Sequence, residues 1–323
     1  MVESKNPIDL VGRLSERLTG PRDTRVQDSG RQDPPIASPK LRAPVSAHSE
    51  VASSAQTPAS APEPVTDSPA NVSGEISARR VVQPIIEIDL VRLQKEGFLT
   101  PQNQRSLIAE EYRVIKRPLL RAAFDRTGES GHLNHVVMVT SAKPNEGKTF
   151  TAINLAMSVA SERDLYVLLV DCDIRRMEVS TKLGIADRKG IMDVLLNPSL
   201  AVSDVMLKTN IPNLAVIPSG QPVAQATELF ASQGMTKLVD DIASRYPDRF
   251  IIFDTPPILA SSEPGVLAMH VGHVIIVIAA GETSRKAIAE SLPFVNSCPN
   301  VHFVLNRAQM VAGRDRFGYY GSY

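Results

Sequence analysis

The 323-residue sequence has no tryptophan, only 5% aromatic residues and no excess of either charge, with 35 basic and 35 acidic side chains. Balanced charge gives no field that points to nucleic acid or an anionic membrane, and no nucleic-acid stacking motif is present. The two cysteines, Cys172 and Cys298, have no CxxC spacing, which fits a reducing compartment and two ordinary buried thiols. No apolar run approaches the ~20 residues of a membrane span, the longest being Val274 to Ala280. No charged-apolar-small secretory signal opens the chain, so a cytoplasmic protein is expected. His270 and His273 lack companions at zinc-ligand spacing, and no Gly-x-Ser-x-Gly, paired catalytic thiol, His-Arg-Asp loop or Asp-Phe-Gly occurs.

What is present is centred on Ala142-Lys143-Pro144-Asn145-Glu146-Gly147-Lys148-Thr149, followed by Phe150. An apolar run precedes it (His135 to Thr140) and an amphipathic one follows (Thr151 to Ser161), the strand, phosphate loop and helix order of a nucleoside-triphosphate site. Ala142 stands where the pattern usually has its first glycine. Small residues let backbone N–H groups curl round a phosphate, and the next helix offers its unsatisfied donors to the same anion. Lys148 suits β- and γ-phosphates, and the Thr149 hydroxyl suits Mg²⁺.

Apolar runs at Leu165 to Val170, Phe250 to Phe253, Val274 to Ala279 and Val301 to Leu305, with a weaker one at Leu214 to Ile217, read as strands. Helical patterns fall between them, notably Met235 to Arg245 and Arg285 to Val295. The expectation is an α/β domain over 131–312 with a mostly parallel sheet flanked by helices. Residues 1–84 are expected to be largely disordered. Eight prolines lie between Pro34 and Pro69, and a short amphipathic helix is placed at 6–19. Residues 85–130 read as an extended arm, with Ile86, Ile88 and Leu90 alternating, then a helix from Asn103 to Leu120 that Pro118 ends or kinks. On that helix Glu110, Arg113 and Lys116 make a solvated, salt-bridged flank. The tail, 313–323, is expected to be mobile and holds Tyr319, Tyr320 and Tyr323.

Asp171, Asp173 and Asp254 fall at strand carboxyl ends, where open α/β sheets bind ligands. They can hold waters on Mg²⁺ or take a proton from an attacking hydroxyl; a plain strand-end cap is the alternative for each. Arg175 or Arg176 can clamp a phosphate, and Asn306, after the last strand, sits where an amide can read a base edge.

Together, the phosphate loop, Val170-Asp171-Cys172-Asp173-Ile174-Arg175-Arg176, Phe253-Asp254-Thr255-Pro256-Pro257 and the tyrosine tail resemble the bacterial tyrosine kinases, P-loop autokinases of capsule and exopolysaccharide synthesis. Residues 110–118 look most like the exosortase (XrtA)-associated subgroup. The resemblance covers about residues 100 to 323. It implies ATP and Mg²⁺ as cofactors, and transfer to tail tyrosines of neighbouring subunits in a ring-like homo-oligomer. Asp171 would activate the tyrosine hydroxyl, and Asp173 and Asp254 would organise the metal. Glu110, Arg113 and Lys116 match the family's Glu-x-x-Arg-x-x-Arg subunit contact, with lysine in the last place, which cannot make arginine's bidentate fork. The expected partners are a separate membrane polysaccharide co-polymerase, which would hold the kinase at the inner membrane, and a cognate tyrosine phosphatase, with no nucleic acid. Lys143 supports a rival reading, a partition-like ATPase switch that hydrolyses ATP without phosphorylating protein. A third is a cytoplasmic scaffold.

Overall fold

A computed structural model describes residues 85–124, 133–223, 228–229 and 232–308. The expected helix at 6–19, the proline-rich tether and the tail tyrosines lie outside the described residues.

The longest runs of β-branched and apolar residues become strands: β1 (Val136–Ser141), β2 (Tyr166–Asp171), β5 (Arg249–Asp254), β6 (His273–Ala279) and β7 (Asn300–Asn306). With β3 (Leu207–Lys208) and β4 (Leu214–Ile217) they form one sheet in the order β3-β4-β2-β5-β1-β6-β7. Every pairing is parallel except that of the two-residue strand β3 with β4. Runs buried on both faces require cover on both faces. One face packs Val137, Val139, Leu169 and Phe250 against the helices Leu107–Ala123 and Lys148–Ala160. The other packs Met138, Val170, Ile251 and Phe253 against the helix Gln233–Arg245. From β1 the chain crosses to β2, outside β5, while β6 lies on β1's other side. The reversal leaves a crevice at the carboxyl ends of the central strands, and the phosphate loop starts there.

The arm keeps the expected alternation, with Ile86 and Ile88 turned inward and Glu87 and Asp89 exposed, but it makes a single bridge rather than a strand. Only Ile86 pairs, donating to the Lys208 carbonyl at 2.8 Å and accepting from the Asn210 N–H at 3.0 Å. Asp89 then caps a helix, Leu90–Lys95, its carboxylate accepting from the Arg92 N–H at 2.9 Å. The following helix starts at Leu107 rather than Asn103 because the Asn103 amide closes the preceding turn, accepting from the Thr100 N–H and donating to the Phe98 carbonyl. It runs through Pro118 to Ala123. The missing proline donor leaves the carbonyl of Val114 without its helical partner, and Val114 is on the exposed side of the helix.

The flank expected to be solvated is solvated only in part. Glu110 and Arg113 form an exposed ion pair. Lys116 is buried, with its ammonium 2.5 Å from the Ser158 carbonyl and 2.7 Å from Glu162 Oε1. It satisfies a carbonyl at the end of the helix Lys148–Ala160, which has no intrahelical partner there.

Candidate active site

The phosphate loop turns because two of its residues adopt left-handed backbone, Asn145 at φ 66° and Gly147 at φ 96°. Its third anchor is Glu146, which the sequence suggested as a nucleotide contact. The structure uses that side chain as a brace: Oε2 accepts from the Lys143 N–H at 2.9 Å, and Oε1 accepts from the Thr283 hydroxyl at 2.6 Å. Asn306 is a second brace. Its Nδ2 donates to the Glu146 carbonyl at 2.9 Å, and its Oδ1 accepts from the Arg307 N–H. Arg307 in turn reaches the Asn145 carbonyl at 2.7 Å. Ala142 is fully buried, and the Phe150 ring lies 4.9 Å from that of Phe98.

Lys148 and Thr149 open the helix Lys148–Ala160 at the crevice. Lys148 Nζ stands 2.7 Å from Asp173 Oδ2, 2.9 Å from Thr149 Oγ1, 3.7 Å from Glu178 Oε2 and 3.8 Å from Asp254 Oδ2. The Thr149 hydroxyl donates to Asp254 Oδ2 at 2.7 Å. Asp171 does not join them at the lysine. It pairs in register with Asp254 across β2 and β5, but its carboxylate accepts from the Ser180 N–H at 2.9 Å, the Ser180 hydroxyl at 2.7 Å and the Asp173 N–H at 3.2 Å. The strand-end cap, an alternative left open by the sequence, describes those contacts. Arg175 is exposed, whereas Arg176 links Asn145 to Glu178.

Burial pushes the Asp254 carboxyl up to about 7, Lys148 opposing and Asp171 and Asp173 adding to the rise. Burial likewise pushes Asp171 up to about 6 against its Ser180 hydrogen bonds. For Lys148 burial works against the charged form, yet Asp254, Asp173 and Glu178 hold its ammonium above the ordinary value. A raised carboxyl in the folded state keeps a proton that the unfolded chain has released. Between about pH 4 and pH 7 the native state therefore binds more protons, and stability falls as pH rises. Melting of nucleotide-free protein from pH 5 to 8 should show that downward slope, and Asp254→Asn should flatten it. A wild-type slope that rises with pH would contradict this assignment.

Mg²⁺ is implied by the loop chemistry, and the residues fit it. The donors are all oxygen, and Asp254 Oδ1 is buried with no hydrogen-bond partner. Among the described residues no group of three His, Cys, Asp or Glu side chains surrounds a metal position, so nucleotide oxygens and water would complete the shell.

The family profile described as an AAA domain matches residues 134–304. Tyrosine-protein kinase YwqD of Bacillus subtilis is 32% identical over 233 residues, 72% of this chain and 93% of that one. The chain belongs to the bacterial tyrosine-protein kinases. Tyrosine-protein kinase wzc of Salmonella typhimurium is 32% identical over 201 residues, 62% of this chain but 27% of its own length, so this kinase spans about a quarter of that relative. The kinase domain of Escherichia coli tyrosine kinase ETK shares the fold, with a TM-score of 0.60 at 24% identity over 72% of this chain and 92% of that one. The parallel α/β sheet expected from the sequence is the fold of this kinase family.

Sequence reasoning missed Glu178 and Thr283, as well as Ser180, which holds Asp171, and Arg307, which holds the Asn145 carbonyl. Glu178 faces Lys148, and Thr283 holds Glu146 from 137 residues away. Glu178 had one available signal, a carboxylate at the start of the helix that follows the Asp-x-Asp segment.

Proposed function

We propose that this kinase transfers the γ-phosphoryl group of ATP to Tyr319, Tyr320 and Tyr323 of a neighbouring copy, and so regulates polymerisation and export of an exopolysaccharide. The observation that carries the reading is the seat of Lys148, an ammonium at a helix N-terminus held beside a threonine hydroxyl and two buried carboxylates. Such a cluster suits phosphoryl transfer, which needs positioning and charge neutralisation more than covalent help. When bound, Mg²⁺ would neutralise phosphate charge, with Thr149 and Asp254 as the residues to hold it and Asp173 acting through water. Lys148 would exchange its carboxylate partners for β- and γ-phosphate oxygens, and the loop N–H groups would orient the same phosphates. The bond from the β,γ-bridging oxygen to the γ-phosphorus breaks and one from the tyrosine oxygen forms. The phenolic proton passes to a carboxylate at the strand ends, a role the family resemblance gives to Asp171.

Transfer between copies implies a ring-like oligomer, in which Glu110 and Arg113 would make the subunit contact. Lys116 has its partners inside its own subunit, which fits a ring held by fewer contacts. The finer assignment is to the exosortase (XrtA)-associated subgroup. No helix among the described residues is long and apolar enough to cross a membrane. By the family resemblance, a separate membrane co-polymerase would recruit the kinase from the cytoplasm to the inner membrane. A tyrosine phosphatase would reverse the modification.

Intact-mass analysis after incubation with Mg-ATP tests this. Wild type should gain steps of ~80 Da, one per phosphoryl group, while the Tyr319/Tyr320/Tyr323→Phe triple variant stays unmodified. Phosphate released to water without any gain in mass would instead support the partition-like switch, with Lys143 as the residue to pursue.

A further inference from the structure

Residues 173–178 fold back over the phosphate loop and touch it at both ends. Arg176 Nη1 donates to Asn145 Oδ1 at 2.7 Å and to Glu178 Oε1 at 3.1 Å, while the other Glu178 oxygen lies 3.7 Å from Lys148 Nζ. Met177, left-handed at φ 47°, makes the reversal that seats this pair of side chains. Lys148 thus faces three carboxylates within 4 Å, those of Asp173, Glu178 and Asp254. They are not equivalent. Asp173 and Asp254 are almost wholly enclosed, at 2% and 0% side-chain exposure, whereas Glu178 is 37% exposed and can swing into water. Against the effect of burial, Lys148, then Thr149 and Arg176, hold the Glu178 carboxyl below its usual range, as an ionised partner of the site requires.

We propose that Glu178 is an anionic competitor for Lys148, a positioning residue that keeps the lysine and the phosphate loop engaged in the empty site and must be displaced by the phosphates of a bound nucleotide. The inference rests on the nucleotide-binding reading of this site and adds a residue that sets its affinity. Glu178 repels a triphosphate and occupies one direction of the lysine's charge. Its partner Arg176 bridges to Asn145, so displacement also frees the loop's exposed end. Removing the charge while keeping the shape should therefore tighten nucleotide binding, the reverse of what loss of a phosphate or metal ligand would do.

The test is calorimetric titration of the full chain with Mg-ADP, which needs no turnover. Glu178→Gln should tighten binding roughly 5-fold at low ionic strength, the scale of one partly exposed ion pair. The difference from wild type should narrow at ~1 M salt, where the Debye length falls to about 3 Å. Glu178→Asp, which keeps the charge, should remain near wild type. Unchanged or weaker binding by Glu178→Gln overturns the competitor role, as does a gain that high salt leaves untouched. Wild type that binds no Mg-ADP overturns the nucleotide reading itself, and this inference with it.

Discussion

Lys148→Met is expected to lower phosphate incorporation by roughly 10³-fold or more, with the variant's intact mass unchanged after Mg-ATP. Among the described ion pairs Lys148 is the cation within 4 Å of both Asp173 and Asp254, the place where charge builds on a transferring phosphoryl group. The same variant should lose stability. Removing one partner of a buried ion pair leaves an uncompensated charge, at a cost of about 3–5 kcal/mol. That loss should depend on pH, because Asp254 already tends toward its neutral form. Losing Lys148 raises that carboxyl further, so the variant keeps a proton that wild type releases, and the deficit grows as pH rises from 6 to 8. The melting temperature of Lys148→Met should thus fall further below wild type at pH 8 than at pH 6. A variant that still gains mass would remove Lys148 from the transfer step. An equal drop at both pH values would remove the lysine from the charge balance of Asp254.

Gly147→Ala carries the second largest expected effect, a loss of about 10-fold or more in Mg-ADP affinity. Gly147 sits at φ 96°, where a β-carbon costs about 1–2 kcal/mol. A β-carbon there would also lie 1.9 Å from Asn306 Nδ2 and 3.2 Å from Asn306 Cγ. Asn306 cannot yield without releasing the Glu146 carbonyl that it holds at 2.9 Å. Backbone strain and a displaced brace then act on the same turn, and ~1.4 kcal/mol of either is a factor of ten. Asn306→Ala alone separates the two: it removes the brace and leaves the turn without the β-carbon strain. That single variant should bind better than Gly147→Ala and worse than wild type. Wild-type affinity in Gly147→Ala would show that the loop rearranges freely on binding.

The parts of this site that were legible in the sequence are those encoded by backbone and by local period. The apolar runs gave the five longest strands, and Gly147-Lys148-Thr149 marked the turn between strand and helix. What was not legible is where a polar side chain finds its partner, since that depends on elements distant in sequence. Glu146 looks like a loop residue open to a nucleotide until Thr283 is brought beside it. Asp171 looks like a member of the metal cluster until Ser180 folds back onto it. Lys116 lies on the same helical face as Tyr112 and Leu119, so period places it inward and only its charge suggested water; the end of the neighbouring helix supplies its partners. At Asp89 a capping side chain ends the extended arm and starts the helix Leu90–Lys95, which the sequence reading did not place. Even the two-residue strand β3 follows this rule, because its pairing with Val216 and Ala215 is set by the fold and not by its own short sequence.

The buried joint at Lys116 has a mechanical consequence. The helix Lys148–Ala160 is a rod of 13 residues, about 20 Å long at 1.5 Å per residue. Its front end carries the phosphate loop, and Lys116 rivets the helix Leu107–Ala123 to its far end through Ser158 and Glu162. The two helices are thus pinned at the end remote from Lys148 and Thr149, by a lysine about a rod's length from the site, so a displacement of the outer helix at that joint has to move the rod or break a buried charged contact.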